Sequence, residues 1–275
     1  MADCFGSHFI LNGRLMPATM FDDSLIYEGQ SVYEVLRLKN GIPCFYNDHL
    51  LRLKRSISLG VKNDLWDLRK LKSDISLLTD TEKHEEINLK IVCNLNNYKA
   101  NCLVYYIKSQ YPSPAQYSEG VKGILFTATR YEPVSKIIHR ELREKIFKRL
   151  HDEDAYEALL VNESGQITEG SRTNIFFISE DHLITAPDEC VLGGITRKHI
   201  LDICRQKRIE VKFECPDAGS INKFSLVFMT GTSPVVLPFN SIDNLTFNVS
   251  NPLISMLREE FMIRAEHSLN EFLSL

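Results

Sequence analysis

The feature that most constrains this chain is the run over residues 155–177. Residues 155–161 are apolar-rich, Asn162-Glu163-Ser164-Gly165 is a polar turn ended by glycine, and residues 166–177 form a second apolar-rich run. Two such runs around a glycine-closed turn predict a β-hairpin. The hairpin places Glu169 in or beside a strand instead of in a solvated loop. A carboxylate there either faces water from an edge strand or is buried against a partner, because Glu is almost never fully buried unless paired. The hairpin residues alone leave both options open.

Composition narrows the class of protein. With 275 residues, 44% hydrophobic and 25% charged, the chain has ordinary globular composition and length for one large or two medium domains. A net charge of -4, with no long run of like charge, excludes a basic surface for nucleic acid. The seven cysteines (Cys4, Cys44, Cys93, Cys102, Cys190, Cys204, Cys215) are odd in number, scattered, free of CxxC pairs and not clustered with His. That pattern argues against a disulfide framework and a zinc site, and for a reducing compartment. Met1-Ala2-Asp3-Cys4-Phe5 lacks the regions of a secretory signal, and no segment approaches about 18 uninterrupted apolar residues. The expectation is a cytoplasmic protein with no membrane partner and no metal.

Taken in order, the chain opens on antiparallel β-structure. Asn12-Gly13 marks a tight turn within residues 9–14, residues 31–39 alternate apolar and polar, and Asn40-Gly41 turns that strand into residues 42–46. Asp48 caps a helix over 49–59 with Leu50, Leu53 and Ile57 on its apolar face and Gly60 as its stop. Arg52 lies off that stripe, where the plain reading is a solvated charge. A second helix covers 65–78, and strands cover 87–92 and 102–108. Lys90 interrupts the first of these strands; read alone, its head reaches solvent past apolar neighbours. Residues 109–119 hold two prolines and show no helical period. They mark a boundary, giving a domain over 1–110, a linker over 111–121 and a domain over 122–275.

Beyond the linker come a strand over 123–129, an irregular piece over 130–135 and an amphipathic helix over 137–150. Lys136 stands at that helix start, where the macrodipole disfavours a cation. Pattern alone does not separate it from Lys145 or Lys148. After the hairpin and a strand over 183–186, Gly193-Gly194-Ile195-Thr196-Arg197 leads into an amphipathic stretch to Gln206 and a strand over 209–214. Two glycines before a helix leave backbone N–H groups in a flexible turn, which suits a phosphate. A tight turn with Thr as N-cap fits equally, and no Lys follows at P-loop spacing. A strand over 225–230 runs into a similar turn, Gly231-Thr232-Ser233-Pro234. The chain closes on a helix over 253–272 with Leu253, Met256, Leu257 and Ile263 as core positions.

Together, Tyr33-Glu34-Val35, Asp48-His49-Leu50-Leu51-Arg52-Leu53, Glu169-Gly170-Ser171, Gly194-Ile195-Thr196-Arg197 and Thr230-Gly231-Thr232 resemble, in order and spacing, the fold type IV pyridoxal-phosphate enzymes. That family includes branched-chain and D-amino-acid aminotransferases and aminodeoxychorismate lyase, and the resemblance covers nearly the whole chain. It implies an α+β (α/β) fold with a small N-terminal α/β domain and a larger C-terminal domain on a β-barrel-like core. It also implies a cofactor site between them and a homodimer whose partner loop closes the substrate pocket. Lys136, at the family's usual distance before Tyr156-Glu157-Ala158-Leu159, would carry pyridoxal 5'-phosphate as a Schiff base. Glu169 would pair with the pyridine nitrogen, and Arg52, the backbone N–H groups of Ile195 and Thr196, and Thr232 would hold the phosphate. Tyr33 matches a tyrosine that contacts the substrate carboxylate in the D-amino-acid enzymes. The Arg those enzymes place near Asn94 is missing, and Lys90 is assigned as the substrate-binding charge in its stead.

The implied chemistry fits the residue types. A lysine that attacks an aldehyde needs a deprotonated fraction, which desolvation beside cationic groups raises. A carboxylate on the ring nitrogen keeps it protonated and able to draw electrons from the substrate Cα, and the released lysine amine can shuttle the proton. A forked guanidinium and N–H donors suit a dianionic phosphate. Two departures stand out: His139 where many members carry Asn three residues after the lysine, and Asp23-Ser24-Leu25 where the family has Asp-Arg-Gly. The resemblance implies ping-pong transfer of an amino group between an amino acid and a 2-oxo acid. The alternative is aminodeoxychorismate lyase, which releases pyruvate and 4-aminobenzoate. Val35 favours the transferase, since lyases of the enterobacterial kind carry Thr there, as does Glu169-Gly170-Ser171. A binding protein that has lost the cofactor is a third reading, disfavoured by the retention of Lys136, Glu169, Arg52 and both turns.

Overall fold

A computed structural model of the chain describes residues 4–61, 65–129, 134–180 and 182–274. Met1-Ala2-Asp3 and most of the irregular piece expected over 130–135 lie outside the described residues. The chain divides into two units, one of residues 1–110, 135–138 and 265–275, the other of 111–134 and 139–264.

The first unit is built on an antiparallel sheet. Its strands are β1 (Phe5–Leu11), β2 (Arg14–Pro17), β3 (Gln30–Lys39), β4 (Ile42–Pro43), β5 (Glu86–Asn96) and β6 (Lys99–Ile107), in the order β2-β1-β6-β5-β3-β4. Both Asn-Gly turns lie in the left-handed region, with Asn12 at φ 52° and Gly13 at 78°, and Asn40 at 50° and Gly41 at 80°, which suits the twist of the strands they join. The alternation in β3 turns Val32, Glu34, Leu36 and Leu38 into the core and leaves Tyr33, Val35, Arg37 and Lys39 half-buried. β4 is shorter than the strand expected over 42–46, because Pro43 offers no N–H and Phe45 takes a left-handed φ of 52°. Helices α1 (Ser24–Tyr27), α2 (Tyr46–Ser56) and α3 (Leu71–Thr81) complete the unit.

Two helices of this unit differ at their ends from the sequence reading. Asp48 lies in the first turn of α2 instead of capping it, and Gly60 does not stop the helix, which runs on as a π-helical turn over Ile57–Val61. The helix expected over 65–78 opens with a short 3-10 turn, Leu68–Lys70, capped by the Asp67 side chain. Leu53, Ile75 and Leu78 pack with Leu36, Leu38, Leu89 and Tyr106 in one cluster.

The second unit holds α4 (Pro114–Glu119), β7 (Val121–Thr127), α5 (Arg140–Asp152), β8 (Glu157–Val161), β9 (Ile167–Gly170), β10 (Asn174–Ile178), β11 (Leu183–Thr185), α6 (Ile195–Lys207), β12 (Val211–Phe213), β13 (Leu226–Gly231), β14 (Val235–Ile242) and β15 (Leu245–Thr246). Helix α7 (Pro252–Ser274) begins in this unit and its last turns count with the first. The sheet runs β12-β11-β10-β13-β14-β7-β8-β9, with β15 on β14. β8 and β9 form the expected hairpin, but the second apolar run is not one strand. After Gly170 the chain turns sharply, with Gly170 N–H donating to Thr173 O at 2.8 Å, and β10 leaves to pair with β11 and β13. Because β9 and β10 are joined by only this corner yet lie at separated places in the sheet, the strands from β10 round to β9 curl into a barrel-like wall.

The stretch read as lacking helical period contains α4. Ser113 and Gln116 form a reciprocal capping box with Pro114 in the first turn, a local signal strong enough for a helix too short to show a period. α5 starts at Arg140 because residues 135–138 bond to the edge of β3 instead. In α7 the buried positions include Ile254, Leu257 and Phe261, while Ile263, expected in the core, is 54% exposed. Val235 takes φ 56°, a conformation that costs a β-branched residue about 1–3 kcal/mol.

Leu36→Ala, in the core of the first unit, is expected to destabilise the chain by about 2–5 kcal/mol. Leu51→Ala, at an exposed position of α2, is expected to stay within about 0.5 kcal/mol. Urea unfolding of both variants checks this; equal midpoints would contradict it.

Candidate active site

In the first unit, Lys136 is fixed through its backbone. Tyr33 N–H donates to Lys136 O at 3.0 Å and Ile138 N–H to Ser31 O at 3.1 Å, while Lys136 N–H donates to Ser56 Oγ at 3.2 Å. The segment therefore extends the edge of β3 next to Tyr33, and the Lys136 ammonium lies 5.0 Å from the Tyr33 ring centroid. Gly60 permits the approach, since a Cβ there would meet both Ile137 and Val32 at 3.2 Å. Lys145 and Lys148, which the sequence pattern could not tell from Lys136, are exposed on α5.

Lys90 is only 2% exposed, so its head does not reach solvent past the strand. It sits in β5 opposite Val35 and Tyr105, with Nζ 5.5 Å from the Tyr33 ring and 5.7 Å from the Tyr105 ring. Aromatic faces stabilise a cation held this way. Tyr33 thus has two lysine ammonium groups close to its ring.

Arg52 is not a solvated charge either. Its Nε and Nη2 donate to the two oxygens of Glu34, each at 2.7 Å, and His49 Nδ1 lies 2.8 Å from Glu34 Oε2. Glu34 is 0% exposed. Burial pushes its carboxyl up, but the charges of Arg52 and Lys136 and the hydrogen bonds from Arg52 and His49 prevail and hold it well below the usual carboxylate range. Burial is also the main influence on His49 and keeps its pKa below the ordinary value despite Glu34, so the imidazole is neutral at pH 7 and donates through Nδ1–H.

In the second unit, Glu169 is 2% exposed, and its Oε2 accepts from Leu192 N–H at 3.2 Å. Asn174 Nδ2 donates to Leu192 O at 2.9 Å, which fixes the turn before Gly193-Gly194. A Cβ on Gly194 would collide with Asn174 Oδ1, whereas one on Gly193 would meet open space. Gly194 is the N-cap of α6, so Thr196 is not; it lies buried with Ile195 in the first turn. N–H groups of a helix's first turn have no partner within the helix and favour an anion. Thr232 is half-buried in the turn between β13 and β14.

Three residues that the sequence reading names only within motifs, with no role of their own, are buried here. Glu34 had a visible signal, since it occupies a core-facing place in an alternating strand. His49 lies on the buried face of α2 with Tyr46 and Leu53. Glu157, fully buried, accepts from Ser171 N–H at 3.1 Å, Ser171 Oγ at 2.5 Å and Thr173 Oγ at 2.9 Å. It thereby holds the corner that follows Glu169. Among the described residues, no group of three or more His, Cys, Asp or Glu is placed to hold a metal ion, and no helix is long and apolar enough to cross a membrane.

Residues 31–242 match the amino-transferase class IV family. The chain belongs to that family. A probable branched-chain-amino-acid aminotransferase of Rickettsia bellii is 30% identical over 276 residues, 91% of this chain and 93% of the relative. A D-alanine aminotransferase of Bacillus licheniformis is 26% identical over 260 residues, 88% of this chain and 91% of the relative. A hypothetical aminotransferase of Mycobacterium tuberculosis, solved in a PLP-bound form, superposes with a TM-score of 0.80 at 15% identity, over 94% of this chain and 98% of that one. The class IV fold is therefore the fold of this chain.

Glu34→Gln should remove the fully buried carboxylate that the part-buried Arg52 grips and destabilise the chain by about 3–5 kcal/mol at neutral pH. Because the folded pKa of Glu34 is depressed, its contribution is full above the ordinary carboxylate value of 4.5 and is lost as pH falls below it. His49, also depressed, adds a loss that begins as pH falls below 6.5. Urea unfolding against pH should show stability falling on acidification in the wild type, with the fall below 4.5 shallower in Glu34→Gln. Parallel curves for the two proteins would contradict this.

Proposed function

We propose that this chain is a pyridoxal-phosphate-dependent aminotransferase that moves an amino group between an amino acid and a 2-oxo acid in two half-reactions. The observation that carries the reading is Lys136, a lysine pinned through its own backbone beside Tyr33 and close enough to Glu34 to influence its ionisation. When bound, pyridoxal phosphate supplies an aldehyde carbon for a lysine amine and a ring that stores the electron pair released at the substrate Cα.

The residues present fit such a group. Glu169 is a buried carboxylate suited to a protonated ring nitrogen, which it would keep protonated. The first-turn N–H groups of Ile195 and Thr196, together with Thr232, suit a phosphate, and the absence of any side chain on Gly193 and Gly194 lets an anion approach the backbone. Arg52, its orientation set by Glu34, would supply a cation for the phosphate. Lys136 Nζ would hold the cofactor, and its amine would carry the proton from and back to the substrate Cα. The Tyr33 hydroxyl and the Lys90 ammonium would receive the substrate carboxylate. The nearness of Lys90 to the Tyr33 ring supports assigning them one task.

We further propose a homodimer, with the partner copy completing the substrate pocket, and a cytoplasmic location. The names of the relatives favour amino transfer over the lyase reaction. Full-length chain, supplied with pyridoxal phosphate and screened against D- and L-amino acids with pyruvate or 2-oxoglutarate, is expected to turn yellow and transfer an amino group. Lys136→Ala should lose both the colour and the transfer. Release of pyruvate and 4-aminobenzoate from aminodeoxychorismate, with no amino acid used, would replace the reading with the lyase. A colourless wild type that cannot be reconstituted would overturn it.

A further inference from the structure

The turn between β13 and β14 has three residues outside the strands, Thr232, Ser233 and Pro234, and the register pairs Gly231 directly with Val235. Val235 takes a left-handed φ of 56° although it is β-branched and buried. Such a conformation persists only where the surroundings impose it. Two side chains from outside the hairpin grip carbonyls next to Val235. Tyr117 of α4 donates its hydroxyl to Pro234 O at 3.2 Å, and Arg258 of α7 donates Nε to Val236 O at 3.1 Å. The Arg258 guanidinium stacks on the Tyr117 ring, with Cζ 4.2 Å from the centroid.

We infer that Tyr117 and Arg258 are positioning residues that clamp the carbonyls on either side of Val235, so that the 231–234 turn is set in advance to receive a phosphate monoester. The stack makes the clamp one object, since each side chain restricts the rotamers of the other while each grips one carbonyl. Among the described residues, Arg258 Nη2 is buried without a hydrogen-bond partner. Desolvation lowers the Arg258 pKa. A desolvated guanidinium with an unmet donor is costly, and holding this turn gives a reason for keeping one here. The inference rests on the reading that the turn bearing Thr232 holds the cofactor phosphate, and it adds what shapes that turn.

The test separates phosphate recognition from general stability. Full-length wild type, Tyr117→Phe and Arg258→Met, each stripped of cofactor, are titrated with pyridoxal 5'-phosphate and with pyridoxal, which lacks the phosphate, and binding is followed by absorbance. Arg258→Met should weaken pyridoxal phosphate about tenfold, and Tyr117→Phe, which keeps the ring but loses the hydroxyl, about threefold or more. Pyridoxal binding should stay within about twofold in both. Should Arg258→Met fail to fold, Tyr117→Phe carries the comparison alone. Equal losses for both ligands, or no loss for either, would overturn the clamp. A wild type that binds pyridoxal as well as pyridoxal phosphate, or binds neither, would overturn the proposed phosphate site and the clamp with it.

Discussion

An ionised carboxylate inside a protein loses several kcal/mol of hydration unless charges and hydrogen bonds replace the water. Glu34 meets that constraint from the core face of β3, shut off from solvent. Its oxygens are answered by the fork of Arg52 and by the Nδ1–H of neutral His49. The same strand presents Tyr33 on its other face and offers its backbone edge to the segment carrying Lys136. A charge that fixes β3 and α2 against each other therefore also fixes the frame that holds the lysine. Removing Glu34 would disturb stability and the Lys136 environment together, and a double-mutant cycle between Glu34 and Arg52 would show how tightly the two are coupled.

The second unit repeats the solution with different partners. Glu169 is oriented by a backbone N–H from the turn that precedes the Gly193-Gly194 cradle, and Glu157 ties down the corner after Gly170 through Ser171 and Thr173. Each buried carboxylate is held by groups on a neighbouring turn, so carboxylate and turn are built as one piece. That economy explains the small residues at the corners. A side chain at Gly170 would strike Thr173 Oγ1, and one at Gly194 would strike Asn174 Oδ1.

Much of this was legible in the chain. The Asn-Gly turns, the alternation of β3, the hairpin around 162–165 and the turns at Gly194 and Gly231 are local signals, and local signals survive folding. Misreadings came where tertiary contacts outweighed them. The run over 166–177 has the composition of one strand, yet Glu157 pulls Ser171 and Thr173 into a corner and divides it into β9 and β10. Arg52 and Lys90 look solvated by their own neighbours in sequence, and only the opposite strand or the facing side chain makes burial tolerable. Lys136 shows the limit most clearly, because its helix-like context hides the fact that residues 135–138 belong to the edge of β3. Family resemblance singled it out where periodicity did not.

The central claim is that Lys136, among all the lysines of the chain, is the one that links pyridoxal phosphate. Reduction of the cofactor-loaded full-length protein with borohydride, followed by proteolysis and mass mapping, tests it directly. The account predicts a phosphopyridoxyl group on the peptide containing Lys136 and on no other; a label on Lys90, Lys145 or Lys148, or a protein that takes no label, would contradict it.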